Sequence, residues 1–411
     1  MFTVSGKYNT AKVMTNAGID DATMSQIIEM CNLESLAGEN LAIMPDCHAG
    51  AGCTIGTTMT ISNAVIPNFV GVDIGCGVLA AHLKLDKHPD FSKLDSVIRK
   101  RVPSGFEVHS RSSILAIRRD QTELDKLHCK DHVDLDRAAL SLGTLGGGNH
   151  FIEIDRDVTG EYWLLIHTGS RYLGKQVAEY YQNEAYKQCS KWDEARQKAV
   201  DELKRQGRQQ EIEAYLKAHP VQKLPKQVAH LSGRRMQDYL DDMKICQAYA
   251  ERNRNRIAFI IAEYMGWPDD VCDDIIDTKH NYITALSGGQ HVLRKGAVSA
   301  LSGERMVIPM NMRDGTLLCT GKGNPYWNHS APHGAGRIMS RSEAKAKVDM
   351  QAFQSLCAVS ILRPSAKPPR TNRPWLINRW NRSYLLLEIL SALTVLCSLS
   401  ITSKPATHKR R

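Results

Sequence analysis

The residues best able to do chemistry sit in short glycine-rich clusters. In Val70-Gly71-Val72-Asp73-Ile74-Gly75-Cys76-Gly77 a carboxylate and a thiol stand three apart, and the flanking glycines let the backbone turn tightly enough to aim both at one ion. In Gly146-Gly147-Gly148-Asn149-His150-Phe151-Ile152-Glu153 a flexible turn delivers an amide and an imidazole; such turns also expose backbone N–H groups suited to phosphate. Ile166-His167-Thr168-Gly169-Ser170-Arg171 and Thr278-Lys279-His280-Asn281-Tyr282 each set a histidine at the edge of an apolar segment. Singly, each of these reads as well as a buried structural residue. Together, one Asp, one Cys and three His at the ends of strand-like segments are the donor inventory of one or two transition-metal ions. Two ions sharing a thiolate would form a clamp suited to phosphoryl chemistry.

A further cluster, Asn328-His329-Ser330-Ala331-Pro332-His333-Gly334-Ala335-Gly336-Arg337, is followed by Ser340-Arg341. It joins a possible nucleophile, close backbone approach and guanidinium groups for phosphate. Upstream, Pro309 to Gly315 could supply base or ribose contacts, or be a plain polar turn. Arg294-Lys295-Gly296 adds charge that could meet RNA phosphates or face solvent. His48, His82, His109, His128 and His219 lack convergent neighbours and read as structural or surface residues.

These clusters need elements to position them. Residues 41 to 82 carry short apolar runs broken by glycines, which predicts buried strands joined by tight turns. Leu142 to Ile154 and Tyr162 to His167 predict a second sheet segment. From about 175 to 265 the composition changes to Gln, Lys, Arg, Glu and Ala with helical period, interrupted near Pro220 and Pro225 and stopped at Gly266-Trp267-Pro268. Residues 279 to 340 return to the glycine-rich, apolar pattern, and Ser342 to Phe353 predicts one more helix. The expected fold is mixed α/β with a mainly helical insertion, and no internal repeat is found.

The 411 residues are 42% hydrophobic and 24% charged, which excludes a disordered or collagen-like chain. Eleven cysteines form no C-x-x-C pair and no dense disulfide spacing, and Met1 to Lys7 has no signal-peptide pattern, so a reducing cytoplasm is expected. The net charge of +9 suggests a polyanionic partner. Its placement revises that inference. Residues 356 to 411 hold ten Lys+Arg and the single acid Glu388, leaving 43 bases and 43 acids elsewhere. The case for a polyanionic partner such as nucleic acid then rests on Arg171, Arg294, Lys295, Arg337 and Arg341 near the metal motifs. The tail interleaves Pro364, Pro368, Pro369 and Pro374 with arginines, then runs apolar from Tyr384 to Thr402 with Glu388 inside. That carboxylate argues against a membrane span, and the tail is expected to lie outside the fold.

In order, D-x-G-C-G, G-N-H-F-I-E, H-x-G-S-R, H-N-Y, R-K-G-A and H-G-A-G-R-x-M-S-R resemble one family, the RtcB-type RNA ligases, from about residue 40 to 354. The resemblance implies a ligase body over 1–355, with the helical insertion at about 175–265. It implies joining of RNA 3′-phosphate or 2′,3′-cyclic phosphate ends to 5′-hydroxyl ends, using GTP and two manganese ions (Mn2+), in RNA repair or tRNA splicing; no DNA partner is expected. By resemblance, Asp73, Cys76 and His150 hold one Mn2+, and Cys76, His167 and His280 the other. His333 is then the guanylylated nucleophile. Asn149, His150, Phe151, Ile152, Glu153, His280, Asn281, Pro309, Met310, Asn311, Met312, Thr316, His333, Gly334, Ala335 and Gly336 fall where the family binds guanylate.

Some positions depart from the family. Ala51 stands where many members have Lys, and Pro309-Met310-Asn311-Met312-Arg313 replaces a P-G-S-M-G segment, as in a divergent branch. Nothing after Gln354 matches the family terminus, whose Lys contacts the nucleotide, and neither Lys404 nor Lys409 has that context. Two other function classes share these motifs: a non-catalytic RNA-end binder and a dinuclear-metal cyclic phosphodiesterase.

Overall fold

The computed structural model describes residues 1–334, apart from 16–17, 111–120, 158, 220–223, 287–288 and 312–314, together with two short strands near the C-terminus. In chain order the first elements are β1 (Phe2–Ser5), β2 (Thr10–Val13), α1 (Asp21–Cys31), β3 (Leu41–His48), β4 (Ile55–Ile61), β5 (Ala64–Val65), α2 (Pro67–Val70), β6 (Gly77–Leu83), α3 (Phe91–Arg101), α4 (Gln121–Leu124) and α5 (Leu135–Ser141). Next come β7 (Phe151–Arg156), β8 (Tyr162–Thr168), α6 (Arg171–Arg205), α7 (Ile212–Ala218), β9 (Leu231–Ser232) and α8 (Gly233–Met265). The last are β10 (Cys272–Lys279), β11 (Asn281–Ala285), β12 (His291–Lys295), β13 (Ala297–Ser299), β14 (Arg305–Asn311), β15 (Gly315–Gly321), β16 (Ser330–Pro332), β17 (Leu393–Thr394) and β18 (Leu399–Ser400).

A six-stranded sheet runs β1-β2-β3-β4-β12-β11, and a four-stranded sheet runs β10-β6-β8-β7. A third sheet is the β14–β15 hairpin, to whose β15 both β17 and β18 pair. Those two strands thus join a sheet edge, although the sequence reading sets the tail outside the fold. The rest of the tail, the helix expected at Ser342 to Phe353, and Met312, Ala335, Gly336, Arg337 and Arg341 lie outside the described residues. Among the described residues no helix is long and apolar enough to cross a membrane.

The layers follow from side-chain period. On β6, Leu79, Ala81 and Leu83 face a core with Leu164, Ile166 and the helical residues Leu94, Ile257, Ile260 and Ile261. The alternate residues Val78 and Ala80 face Trp163, Leu165 and Val307, joining this sheet to the hairpin. The larger core lies on the six-stranded sheet, where Ala11, Val13, Ile43, Met59 and Leu293 meet α1, α6 and α8.

Helix α8 spans both cores. Met236, Tyr239, Leu240, Met243, Cys246 and Tyr249 belong to the larger one, and Ile257, Ile260, Ile261 and Met265 to the other. Between them its buried stripe turns polar at Asn253 and Arg254. The helix stops as its sequence predicts: Gly266 is left-handed at φ 73°, its N–H donates to the Glu263 carbonyl (3.1 Å), and the Trp267 N–H donates to the Ala262 carbonyl (3.0 Å). The helical region begins at Arg171, slightly before the expected 175. Residues 142–150, expected to be strand, are instead a loop leading into β7. At its start that loop takes backbone partners from α8: the Asn253 amide oxygen accepts from Gly143 N (2.7 Å) and Thr144 N (3.1 Å).

Candidate metal centre and nucleophile

Strand register brings the predicted ligands to one end of the four-stranded sheet. Gly77 pairs with Thr168 on one side and Lys279 on the other, and Phe151 pairs with His167. Cys76, His150 and His280, each one residue outside a strand end, and His167, one residue inside, therefore converge although they lie far apart in sequence. Cys76 Sγ is 3.4 Å from His167 Nε2 and 3.5 Å from His150 Nε2. Asp73 Oδ2 is 3.0 Å from His150 Nε2. The His167 ring centroid lies 5.3 Å from that of His150 and 5.1 Å from that of His280.

These groups fit a metal ion. The potential ligand atoms of Cys76, His150 and His167 lie within 4.8 Å of one another. His150 donates Nδ1–H to the Leu145 carbonyl (2.9 Å), which turns Nε2 toward Asp73 and Cys76. His167 Nδ1 is buried and has no hydrogen-bond partner among the described residues. Burial, then neighbouring imidazoles, hold His167 and His280 well below the usual histidine range, so both are neutral and able to coordinate. Burial opposes ionisation of Asp73, but hydrogen bonding and charge at His150 prevail and keep it below the carboxylate range. Burial and then the Asp73 carboxylate push the Cys76 thiol well up, so a cation is needed to draw off its proton.

The backbone around these ligands is held from behind by α8. Arg254, fully buried, pairs with Asp277 through Nε–Oδ1 (2.5 Å) and Nη2–Oδ2 (2.7 Å). Its Nη1 donates to the carbonyls of Gly75 (3.0 Å) and Thr168 (2.8 Å), one beside Cys76 and one beside His167. Asn253 donates to the Gly169 carbonyl (3.2 Å). A side chain at Gly169 would run into the Asp73 carboxylate.

His333 follows β16, whose partner β13 is entered through left-handed Gly296. The Gly296 N–H donates to the His280 carbonyl (2.7 Å), and a Cβ there would come within 3.1 Å of His333 Cε1. His333 and His280 ring centroids are 5.1 Å apart. Nδ1 of His333 lies 2.8 Å from Oδ2 of Asp46, whose side chain is fully buried on β3. Neither atom has another polar partner among the described residues, so the two groups face each other alone.

A family model described as tRNA-splicing ligase RtcB matches residues 26–361. The chain belongs to the RtcB family. The relative named RNA-splicing ligase RtcB, from Escherichia coli K12, is 30% identical, over 75% of this chain and 76% of that protein. The tRNA-splicing ligase RtcB of Archaeoglobus fulgidus is 28% identical, over 78% and 77%. The RNA-splicing ligase RtcB homolog 1 of Entamoeba histolytica is 24% identical, over 84% and 78%.

The remaining RtcB-type expectations are placed as follows. Phe151 stacks edge-on against His167 at 5.1 Å between ring centroids. On the same strand face, burial and the Asp155 charge push Glu153 well up, and burial pushes Asp155 up to about 6 against a hydrogen bond from Thr316. Thr316 pairs with Pro309, and a side chain on Gly334 would approach the Pro309 carbonyl to 3.0 Å. The hairpin carrying Pro309, Met310 and Thr316 thus lies beside both β7 and the His333 turn. Asn281 holds the metal loop through Gly75 N–H to its carbonyl (2.7 Å), and its side chain accepts from Gly296 N (3.0 Å).

Two cations read as RNA contacts are used inside the fold. Arg294, fully buried, donates to Ser330 Oγ (2.8 Å) and to the carbonyls of Asn328 and His329 (both 3.3 Å), two residues with positive φ just before His333. Lys295 donates to the carbonyls of Ala51 and Asn68. Both lie buried on a strand paired on both sides, so their charge answers backbone dipoles rather than solvent. Four contributors escaped the sequence reading: Asp46, Asn253, Arg254 and Asp277. The signal for Asn253 and Arg254 was the polar break in an apolar helix stripe; Asp46 stands in the Pro45-Asp46-Cys47-His48 segment, beside the His48 and Ala51 that the sequence reading took up, and Asp277 left none.

Proposed function

We propose that this chain is a metal- and GTP-dependent RNA ligase that joins RNA 3′-phosphate or 2′,3′-cyclic phosphate ends to 5′-hydroxyl ends, acting in RNA repair or tRNA splicing in the cytoplasm. The observation that carries the reading is His333, set against His280 of the Cys/His cluster with Asp46 on its Nδ1. Asp73, Cys76 and His150 would hold one Mn2+, and Cys76, His167 and His280 a second. Bound there, divalent cations would supply Lewis-acid polarisation of phosphoryl oxygens.

The protein's own residues do the rest. Asp46 fixes the His333 tautomer, so that Nε2 attacks the GTP α-phosphorus, forms the N–P bond and releases pyrophosphate. Asp46 also offsets the charge of the substituted imidazole. Asn149, Phe151, Ile152, Glu153, Asn281, Pro309 to Met312, Thr316 and Gly334 to Gly336 would position the guanylate. Transfer of GMP to the RNA 3′-phosphate breaks the N–P bond and restores His333. The RNA 5′-hydroxyl then attacks the activated end and expels GMP.

Incubation with α-labelled GTP and manganese, followed by denaturing electrophoresis, tests this reading. Label should stay on the wild-type protein and vanish in His333→Ala; an unlabelled wild type refutes the histidine step. Opening of a 2′,3′-cyclic phosphate without joining would replace ligation by phosphodiester hydrolysis.

A further inference from the structure

We infer that the surface from the 103–109 loop to the outer face of α8 is the track on which a single-stranded RNA end lies as it enters the centre. This rests on the ligase reading above. The 103–109 loop is built onto the glycine turn that carries His150: Leu145 N–H donates to the Pro103 carbonyl (2.9 Å) and Gly105 N–H to the Gly146 carbonyl (3.0 Å). Arg171 ties the two together, with Nη1 3.4 Å from His150 Nδ1 and Nη2 donating to the Gly105 carbonyl (3.4 Å). At the tip of this loop Phe106 is 94% exposed, so its ring contributes almost nothing to the core.

Guanidinium groups and further rings flank it. On one side Arg137 donates to the Phe106 carbonyl (3.2 Å) and lies 5.5 Å from the centroid of Tyr172, a ring 42% exposed. On the other side left-handed Gly143, two residues before Leu145, abuts Arg256, whose guanidinium sits 5.1 Å from the half-exposed ring of Phe259. Neither Arg137 nor Arg256 has a carboxylate partner among the described residues.

Separate exposed rings interleaved with cations suit nucleobases and phosphates, whereas a protein partner would favour one contiguous apolar patch. Every base has a face to stack, so such a track holds an RNA end without reading its sequence. Glu107 and Asp136 stand on the same stretch and reduce its net charge. Stacking therefore carries most of the affinity, and the salt dependence is shallow.

The test uses the full-length protein and two short RNAs carrying 2-aminopurine, one at a 3′-phosphate end and the other at a 5′-hydroxyl end. Wild type should quench at least one of them, and the quenched arm identifies the strand. Phe106→Ala should abolish that quenching and weaken binding about tenfold, with Phe106→Trp restoring both. Unchanged thermal melting of Phe106→Ala shows that the fold is intact. If wild type binds RNA and Phe106→Ala binds and quenches equally, the track is wrong and the ligase reading stands. If wild type binds neither RNA, both fail.

Discussion

Nδ1 of His333 and Oδ2 of Asp46 stand 2.8 Å apart, with the Asp46 side chain wholly buried. An uncompensated carboxylate at that depth would be costly, and the His333 imidazole is a group within reach that can carry the balancing charge.

Asp46→Asn should slow labelling of the protein by α-labelled GTP by roughly 100-fold or more, because the amide can offer Nδ1 a donor and select the wrong tautomer. The rate of label incorporation checks this. A variant as fast as wild type would remove Asp46 from the mechanism.

Cys76→Ser should lower bound manganese, measured by elemental analysis of dialysed protein, by more than one ion's share, since both proposed ion sets include that sulfur. Gly169→Ala should also lower it with every ligand still present, because the new methyl group displaces the Asp73 carboxylate. Full manganese content in both would contradict the proposed ligand set.

Arg254→Met should destabilise the protein by about 3–5 kcal/mol, because it strands the Asp277 carboxylate and frees the Gly75 and Thr168 carbonyls. The urea midpoint should fall accordingly. Asp277→Asn in the Arg254→Met background should recover part of the loss, since no unpaired charge then remains.

Burial pushes Asp155 up to about 6. The folded-state value exceeds that of the unfolded chain, so the native state holds the extra proton between about pH 4 and 6 and stability falls as pH rises through that window. Asp155→Asn should flatten this slope and raise the melting temperature at pH 8, by the equivalent of about 1–3 kcal/mol. An identical pH profile for variant and wild type would contradict the raised value.

Much of the candidate site was legible because its chemistry is local. Asp73 and Cys76, His150 after its glycine turn, and His333 before Gly334 each announce themselves by residue type and spacing, as does the Gly266 stop of α8. Local signals also misled. Arg294 and Lys295 read as charge for RNA phosphates or solvent, yet β12 lies between β4 and β11, where both side chains answer backbone carbonyls.

The sequence by itself determined the donor types, the alternation of strand and helix, and the family, since each depends on neighbours within a few residues. Only the tertiary structure decided that Gly77, Thr168 and Lys279 stand in register, so that Cys76, His167 and His280 converge. It alone decided that Asp46 meets His333 and that Arg254 reaches both ligand loops. The physical reason is that strand pairing and core packing set the distance between residues remote in the chain, and no local spacing encodes that distance.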